Sequence, residues 1–255
     1  MTIDVVHEAG IQTLRFNRPD KKNAITSEMY DALTGALRAG DQSDEVAVHL
    51  LTGAPGIFTA GNDISEFMKF ANEGGLGQSV LSFLAALAGA EKPIVAAVDG
   101  LAVGVGATLL FHCDLVYATA RSSFSTPFLD LGLVPEAASS LLFPRVMGHQ
   151  RAFEMLCLGS RFSAERAVAA GFVNEIVDPD GLEAYARQAA LQLATKPPEA
   201  LAMARKLVRG DTADISARIE EEAVMFADRL RSNEAREAFT AFLEKRPASF
   251  QKPRS

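Results

Sequence analysis

Cysteine is scarce in this chain: its 255 residues include two, Cys113 and Cys157. Both stand among apolar residues, so they read as buried free thiols of a reducing compartment rather than as a disulfide. Two thiols alone make no metal site. The four histidines, His7, His49, His112 and His149, fall in no HxxxH-type spacing, and no metal centre is expected. Positive charge is also short. A net charge of −7 argues against general binding to nucleic acid or to a membrane surface, because both want a basic face. An anionic ligand would have to be met by a local basic loop or by backbone N–H groups. No apolar run reaches the roughly 18 residues that a membrane span needs. Met1 to Gly10 carries Asp4 and Glu8 and lacks the apolar stretch of a secretion signal. The end, Lys252-Pro253-Arg254-Ser255, is no peroxisomal address. A cytoplasmic location is the expectation. No low-complexity stretch and no strict repeat is present.

What is there is ordinary globular material, 48% apolar and 22% charged, enough for a large core in one domain or in one domain with an appendage. Ile3 to His7 and Ile11 to Phe16 alternate around Glu8-Ala9-Gly10 and predict a hairpin. A helix is expected from a Thr26/Ser27 cap to Gly40, with Met29, Leu33, Ala36 and Leu37 on its buried face. Strands are expected at Val46–Leu51, Pro93–Val98, Asp114–Ala118 and Phe172–Val177. Their near-continuous apolar character suggests parallel sheet covered on both faces, in an α/β class. Residues 73–77 read as a mobile loop between helices. After Asp178-Pro179-Asp180-Gly181 the pattern turns helical: Leu182 to Ala194, Glu199 to Val208 and Asp214 to Phe242. The expected division is an α/β core over residues 1–195 and a helical region over residues 196–255.

Four segments invite a chemical reading, and each also has a structural one. Phe58-Thr59-Ala60-Gly61-Asn62-Asp63-Ile64 follows a strand and leads into a helix. Free N–H groups at such a start hold an anion or polarise a carbonyl; the same residues also read as a helix capped by Asp63. Asp99 to Ala107, with Gly100, Gly104 and Gly106, permits close backbone approach to a ligand or to a neighbouring element. A dinucleotide fingerprint would need a third glycine where Leu109 stands. In Leu131 to Ser140, Pro135-Glu136 reads as a helix start with Pro at the first position and an acid near the dipole. Its company is apolar: Leu133, Val134, Ala137 and Ala138. A carboxyl in such a pocket has its charged form disfavoured, which raises its base strength. Asn17 to Ala24 is a short basic loop, either a solvated turn or a patch for a phosphate-bearing ligand.

In this order and at these intervals the four segments resemble the crotonase (enoyl-CoA hydratase/isomerase) superfamily, from about Ile3 to Val177. Ser163-Ala164-Glu165-Arg166-Ala167 and Gly171-Phe172-Val173 are similar as well. The resemblance implies a crotonase-like spiral of repeated ββα units with a C-terminal helical trimerisation region. It implies an acyl-CoA substrate, no cofactor beyond its CoA moiety, no metal, and a homotrimer or hexamer. The apolar faces Leu201/Leu207 and Val224/Phe226/Leu230 are compatible with such an assembly, and core packing would produce the same stripes. By position, the backbone N–H groups of Asn62 and Val105 would form the oxyanion hole. Lys21, Lys22, Asn23 and Ala24 would lie along the CoA, with Ala60, Gly61, Asp63, Ile64 and Gly104 in the same groove. Val105 stands where many members have glycine, which leaves the N–H in place.

The departures point to a subfamily. Hydratases of this superfamily use two glutamates, and their positions here are Thr108 and Phe128, which with Leu133 would line the pocket. Neither moves a proton to or from water as a carboxylate does. The Thr126-Pro127-Phe128 and Pro135 to Pro144 stretches look like the monofunctional Δ3,Δ2-enoyl-CoA isomerases, in which one glutamate, here Glu136, is the base. Other readings stay open: a hydratase that uses another acid such as Asp130, a dehalogenase-like reaction, a non-catalytic acyl-CoA-binding protein, and an NAD enzyme.

Overall fold

The computed structural model describes residues 2–66, 70 and 75–250. Among the described residues ten strands form two sheets. In the larger, β2 (Ile11–Phe16), β3 (Val48–Thr52), β5 (Ile94–Val98), β7 (Leu115–Ala118) and β10 (Glu175–Ile176) run parallel in that order. The first strand, β1 (Ile3–Glu8), adds antiparallel at the β2 edge as the expected hairpin, with Glu8 opposite Ile11. The smaller sheet holds β4 (Ile57–Thr59), β6 (Leu101–Val103), β8 (Ser123–Ser125) and β9 (Phe162–Ser163), with β8–β9 antiparallel.

The apolar runs have a direct cause. Along β3 and β5, Val48, Leu50, Val95 and Ala97 face a cluster made with Leu182, Ala186 and Ala190 of α7 (Leu182–Ala194). Leu51, Ile94, Ala96 and Val98 point the other way, into the main core. Both faces are buried, so alternation disappears from the sequence. The short strands of the smaller sheet escaped the pattern reading, since two or three residues carry no period.

Three strands of the large sheet are each followed closely by one of the small sheet: β3 by β4, β5 by β6, β7 by β8. The chain therefore steps repeatedly from sheet to sheet, which is the α/β spiral of strand–strand–helix units. The β5–β6 corner is Asp99-Gly100. A Cβ on Gly100, at φ +80°, would stand 1.8 Å from the Gly56 carbonyl oxygen, so only glycine fits. Asp99 ties the corner down, accepting from Gly56 N–H, Thr119 and Arg121.

The helix after the hairpin, α1 (Ser27–Gln42), starts on the expected Thr26 cap, which accepts from Met29 N–H. Next come α2 (Gln78–Gly89), α3 (Val105–Thr108), α4 (Ser139–Met147), α5 (His149–Leu156) and α6 (Ala164–Ala170), and beyond α7 lie α8 (Pro198–Arg209), α9 (Ala213–Leu230) and α10 (Asn233–Leu243). Of the loop expected at residues 73–77, positions 73 and 74 lie outside the described residues.

Two expectations need correction. The strand drawn over Phe172–Val177 is only Glu175–Ile176, because Phe172 and Val173 leave the ladder to enter the core. The single helix drawn over Asp214–Phe242 is two, divided where the Ser232 hydroxyl caps Ala235 N–H and starts α10. Of the apolar faces on these helices, Phe226 and Leu230 are buried in the chain's own core, whereas Leu207 and Val224 are 84% and 73% exposed. Among the described residues no helix is long and apolar enough to cross a membrane.

Candidate active site

Three parallel strands deliver the site from their C-terminal ends. Asn62 follows β4, Val105 follows β6, and the segment leading to Glu136 follows β8; these strands are neighbours in the small sheet. Such ends are where open α/β sheets present ligand sites.

The first two ends approach each other closely. Gly61 has φ +83°, and a Cβ there would lie 2.5 Å from the Val103 carbonyl oxygen and 3.8 Å from Gly104 Cα. The missing side chain is what lets the two turns meet. Around them Asp63 N–H donates to Ile25 O, Gly104 N–H to Ser125 O, and the N–H groups of Ala107 and Thr108 to Gly104 O. Gly61 N–H donates to the Thr59 hydroxyl. The N–H groups of Asn62 and Val105 have no acceptor among the described residues. Val105 opens α3, where the first donors have no partner within the helix. Two unspent backbone donors, each one residue past a close glycine contact, suit an oxygen that gains charge.

These donors border a cavity of about 700 Å³. Lys21, Lys22, Ala24, Ala60, Gly61, Asn62, Asp63, Ile64, Gly104, Val105, Phe128 and Leu133 all line it, as do Asp130, Phe242 and Arg246. Asn23 does not. It is fully buried, and its amide donates to the Ile57 and Phe58 carbonyls while its oxygen accepts from Arg18 N–H. Its role is to pin the basic loop to β4, so its assignment as a CoA contact is corrected. Asp63 caps the segment at Ile64, accepting from Ser65 and pairing with Arg18 at 2.6 Å. Burial pushes its carboxyl up, but the hydrogen bonds from Ser65 and Arg18 outweigh burial and hold it below its ordinary value.

Glu136 and Thr108 sit behind this lining. Glu136 is 3% exposed. Thr108 Oγ1 donates to Glu136 Oε1 at 2.7 Å, leaving Oε2 as the oxygen free to take a proton. Burial raises the Glu136 carboxyl to about 8; the Thr108 hydrogen bond opposes this, and the charge of Glu222 on α9 adds to it. Tyr30 on α1 is buried in the same cluster and donates to Asn62 Oδ1 at 2.5 Å. Burial first, then the Glu136 charge, holds its phenol well above the ordinary value, so it remains a donor. The Glu136 charge thus acts on the phenol that is hydrogen-bonded to Asn62, the residue that bears an unspent N–H.

The expected helix start at Pro135-Glu136 is not observed. The helix α4 begins at Ser139, and Glu136 stands in the turn ahead of it. Ala137 and Ala138 both adopt left-handed backbone, at φ 60° and 55°. That conformation costs an alanine roughly 1–2 kcal/mol, so neighbours must impose it. The Glu136 carbonyl accepts from the Ser139 hydroxyl at 2.6 Å. The Ala137 carbonyl accepts from His112 Nε2 at 2.8 Å. Burial lowers that imidazole to about 4, which keeps it neutral with its one proton on Nε2. Ala138 N–H donates to Glu222. Sequence reasoning missed Tyr30, His112 and Glu222. Glu222 had a readable signal: it is the one charged residue in the buried stripe Ile215, Ile219, Glu222, Phe226, Leu230. Asp130, by contrast, is exposed at the cavity and is no second buried acid. No cluster of three or more metal-ligating side chains occurs among the described residues.

Known proteins resemble this chain in sequence and in fold. The chain matches the enoyl-CoA hydratase/isomerase family over residues 6–253. It is 36% identical over 251 residues to enoyl-CoA delta isomerase 2 of Rattus norvegicus, covering 95% of this chain and 63% of that protein. It therefore spans somewhat less than two thirds of that relative's length. It is 35% identical to the 1,2-epoxyphenylacetyl-CoA isomerase of Escherichia coli (strain K12), over 95% of each. A crystal structure of an enoyl-CoA hydratase/isomerase from Pseudoalteromonas atlantica T6c superposes with a TM-score of 0.92 at 37% identity, covering 98% of this chain and 100% of that one.

Proposed function

The chain belongs to the enoyl-CoA hydratase/isomerase family, and from that premise we propose that it is an enoyl-CoA isomerase that moves a 3-enoyl double bond to the 2-position. Because the neighbouring buried acid Glu222 has both oxygens engaged by the N–H groups of Ala138 and Ser140, the observation that carries this reading is the one free carboxyl oxygen of the two acids, on Glu136. Glu136 is a buried carboxyl with Thr108 as its hydrogen-bond partner. The two positions that hold glutamates in the resembling hydratases are here Thr108 and Phe128, both buried and neither acidic.

The chemistry needs one acid. The α-protons of a 3-enoyl thioester are activated by the carbonyl and by the double bond together. With the thioester oxygen between the N–H groups of Asn62 and Val105, Glu136 Oε2 removes an α-proton and leaves a dienolate. The two donors stabilise the oxyanion, each by roughly 2.7–4 kcal/mol in comparable sites. The same carboxyl returns the proton at the γ-carbon, and the double bond ends conjugated to the carbonyl. The Thr108 hydroxyl donates to Oε1 while the carboxylate is charged; once it is protonated the hydroxyl can turn toward the Val105 carbonyl, 3.4 Å away. No water is activated, in keeping with the apolar walls at Phe128 and Leu133. Lys21 and Lys22, on the cavity rim, supply the positive charge for the phosphates of CoA. We also take the exposed face at Met203, Leu207 and Val208 of α8 to be the contact of a homotrimer or hexamer.

Assaying both reactions on one preparation tests the reading. Conversion of 3-enoyl-CoA to 2-enoyl-CoA, negligible hydration of crotonyl-CoA, and loss of isomerisation by orders of magnitude in Glu136→Gln with CoA binding retained are the expected results. Robust hydration, or full isomerisation by Glu136→Gln, would sink it.

A further inference from the structure

The turn that carries Glu136 is gripped by a carboxylate from a helix far along the chain. Glu222 lies in the buried stripe of α9 and is 5% exposed. A charge in such a stripe is costly unless its lone pairs are met. Here they are met: Oε2 accepts from Ala138 N–H at 2.6 Å and Oε1 from Ser140 N–H at 2.9 Å. The Ser140 hydroxyl also bonds to this carboxyl and itself accepts from Arg218 Nη1 at 3.1 Å. Burial holds this carboxyl above its ordinary value, and the N–H pointed at each oxygen, the Ser140 hydroxyl and the Arg218 charge oppose that rise. Ala138, the residue at the α4 N-cap, has no side chain to cap with, so Glu222 supplies the missing acceptor from across the fold.

We infer that Glu222 is a positioning residue: by holding the N–H groups of Ala138 and Ser140 it keeps the left-handed Ala137–Ala138 pair in place and so fixes where Glu136 presents Oε2. The inference rests on the reading of Glu136 as the acid/base. It has an electrostatic corollary. The groups that face Glu136 are Tyr30 from α1, Thr108 from α3 and Glu222 from α9, with His112 behind Ala137 and Arg218 beyond Glu222. Tyr30, Thr108 and His112 are uncharged in the working range. The Glu222 charge, partly offset by Arg218, therefore helps keep the Glu136 carboxyl protonated at rest.

Two substitutions separate grip from charge. Glu222→Gln keeps one acceptor, sets an amide N–H₂ against the other donor and removes the charge. Glu222→Asp keeps the charge but shortens the reach. Four quantities are measured on the full-length protein: kcat for a 3-enoyl-CoA, the dissociation constant for a CoA thioester, the pH profile of kcat/KM, and amide exchange over residues 137–142. Both variants should lose kcat roughly ten- to hundredfold, as small misplacements of reacting groups do, while thioester affinity stays within about threefold. The acid limb of kcat/KM should move to lower pH in Glu222→Gln and stay in Glu222→Asp. The amides of both Ala138 and Ser140 should exchange at least about tenfold faster in Glu222→Asp, and at least one of the two should do so in Glu222→Gln. Unchanged exchange overturns the inference, and so does unchanged kcat. So does a loss of kcat that matches the loss of affinity while the acid limb stays fixed in Glu222→Gln. If one variant fails to fold, the other decides by the same readouts. An inactive wild type would defeat the isomerase reading instead, and amide exchange would still decide the clamp.

Discussion

Replacing Glu136 by glutamine separates what this side chain does for the reaction from what it costs the fold. Burial, against the Thr108 hydrogen bond and with the Glu222 charge, places its carboxyl near 8 in the folded protein instead of 4.5. Below pH 4.5 it is protonated in folded and unfolded chains alike. Between 4.5 and about 8 the unfolded chain releases a proton that the folded chain keeps, so its contribution to stability falls as pH rises. Above about 8 the penalty is complete. That interval, at about 1.36 kcal/mol per pH unit, amounts to about 5 kcal/mol. Glutamine does not titrate. Its amide has a burial cost of its own, but that cost is the same at every pH and cancels in a pH series. Urea unfolding of both proteins from about pH 4 to pH 9, followed by circular dichroism, should show the variant gaining about 5 kcal/mol on the wild type. In thermal scans this corresponds to roughly 10–20 °C at 2–4 °C per kcal/mol. A difference that stays flat within about 1 kcal/mol across the series would refute the assignment of a raised, buried acid.

Three further outcomes follow from the same geometry. Thr108→Val removes the hydrogen bond that favours the Glu136 carboxylate, so the acid limb of kcat/KM, expected near 8 in the wild type, should move upward and activity at pH 7 should fall about tenfold. An unmoved limb would show that Thr108 does not tune the acid. Gly61→Ala places a Cβ 2.5 Å from the Val103 carbonyl oxygen at φ +83°; it should lower kcat roughly 10²- to 10³-fold, as loss of one oxyanion donor does, and a variant with wild-type kcat would place the oxyanion elsewhere. Sedimentation equilibrium should report a trimer or hexamer, and Leu207→Asp, at a side chain 84% exposed in the single chain, should shift it toward smaller species. A monomeric wild type would remove α8 as a contact.

The two glycine-bearing segments and Glu136 are visible in the sequence because each departs from local grammar. Gly61 stands just past a strand and Gly104 within an apolar run, both where chain must approach chain, and Glu136 is a lone acid among Leu133, Val134, Ala137 and Ala138. The large sheet was legible from apolar runs buried on both faces. Other features left no trace at their own positions. The strands of the small sheet are too short for a period to register. The left-handed turn at Ala137–Ala138 uses alanine where left-handed backbone usually calls for glycine, so a helix start was drawn through it. What holds the turn is Glu222, a residue from another helix, and that juxtaposition exists only once the chain is folded. Asn23 was misread for a related reason: beside two lysines it looked like part of a ligand patch, yet its amide satisfies the backbone of β4.

The central claim is that one carboxyl both removes and returns the proton. A 3-enoyl-CoA deuterated at the α-carbon, turned over in ordinary water, tests it most directly, with the label located in the 2-enoyl-CoA product by mass spectrometry. Transfer by a buried Glu136 predicts that a substantial share of the deuterium lost from the α-carbon reappears at the γ-carbon. Complete exchange of that deuterium with solvent from the first turnover would contradict a single shielded acid and call for a second group or water in the proton path.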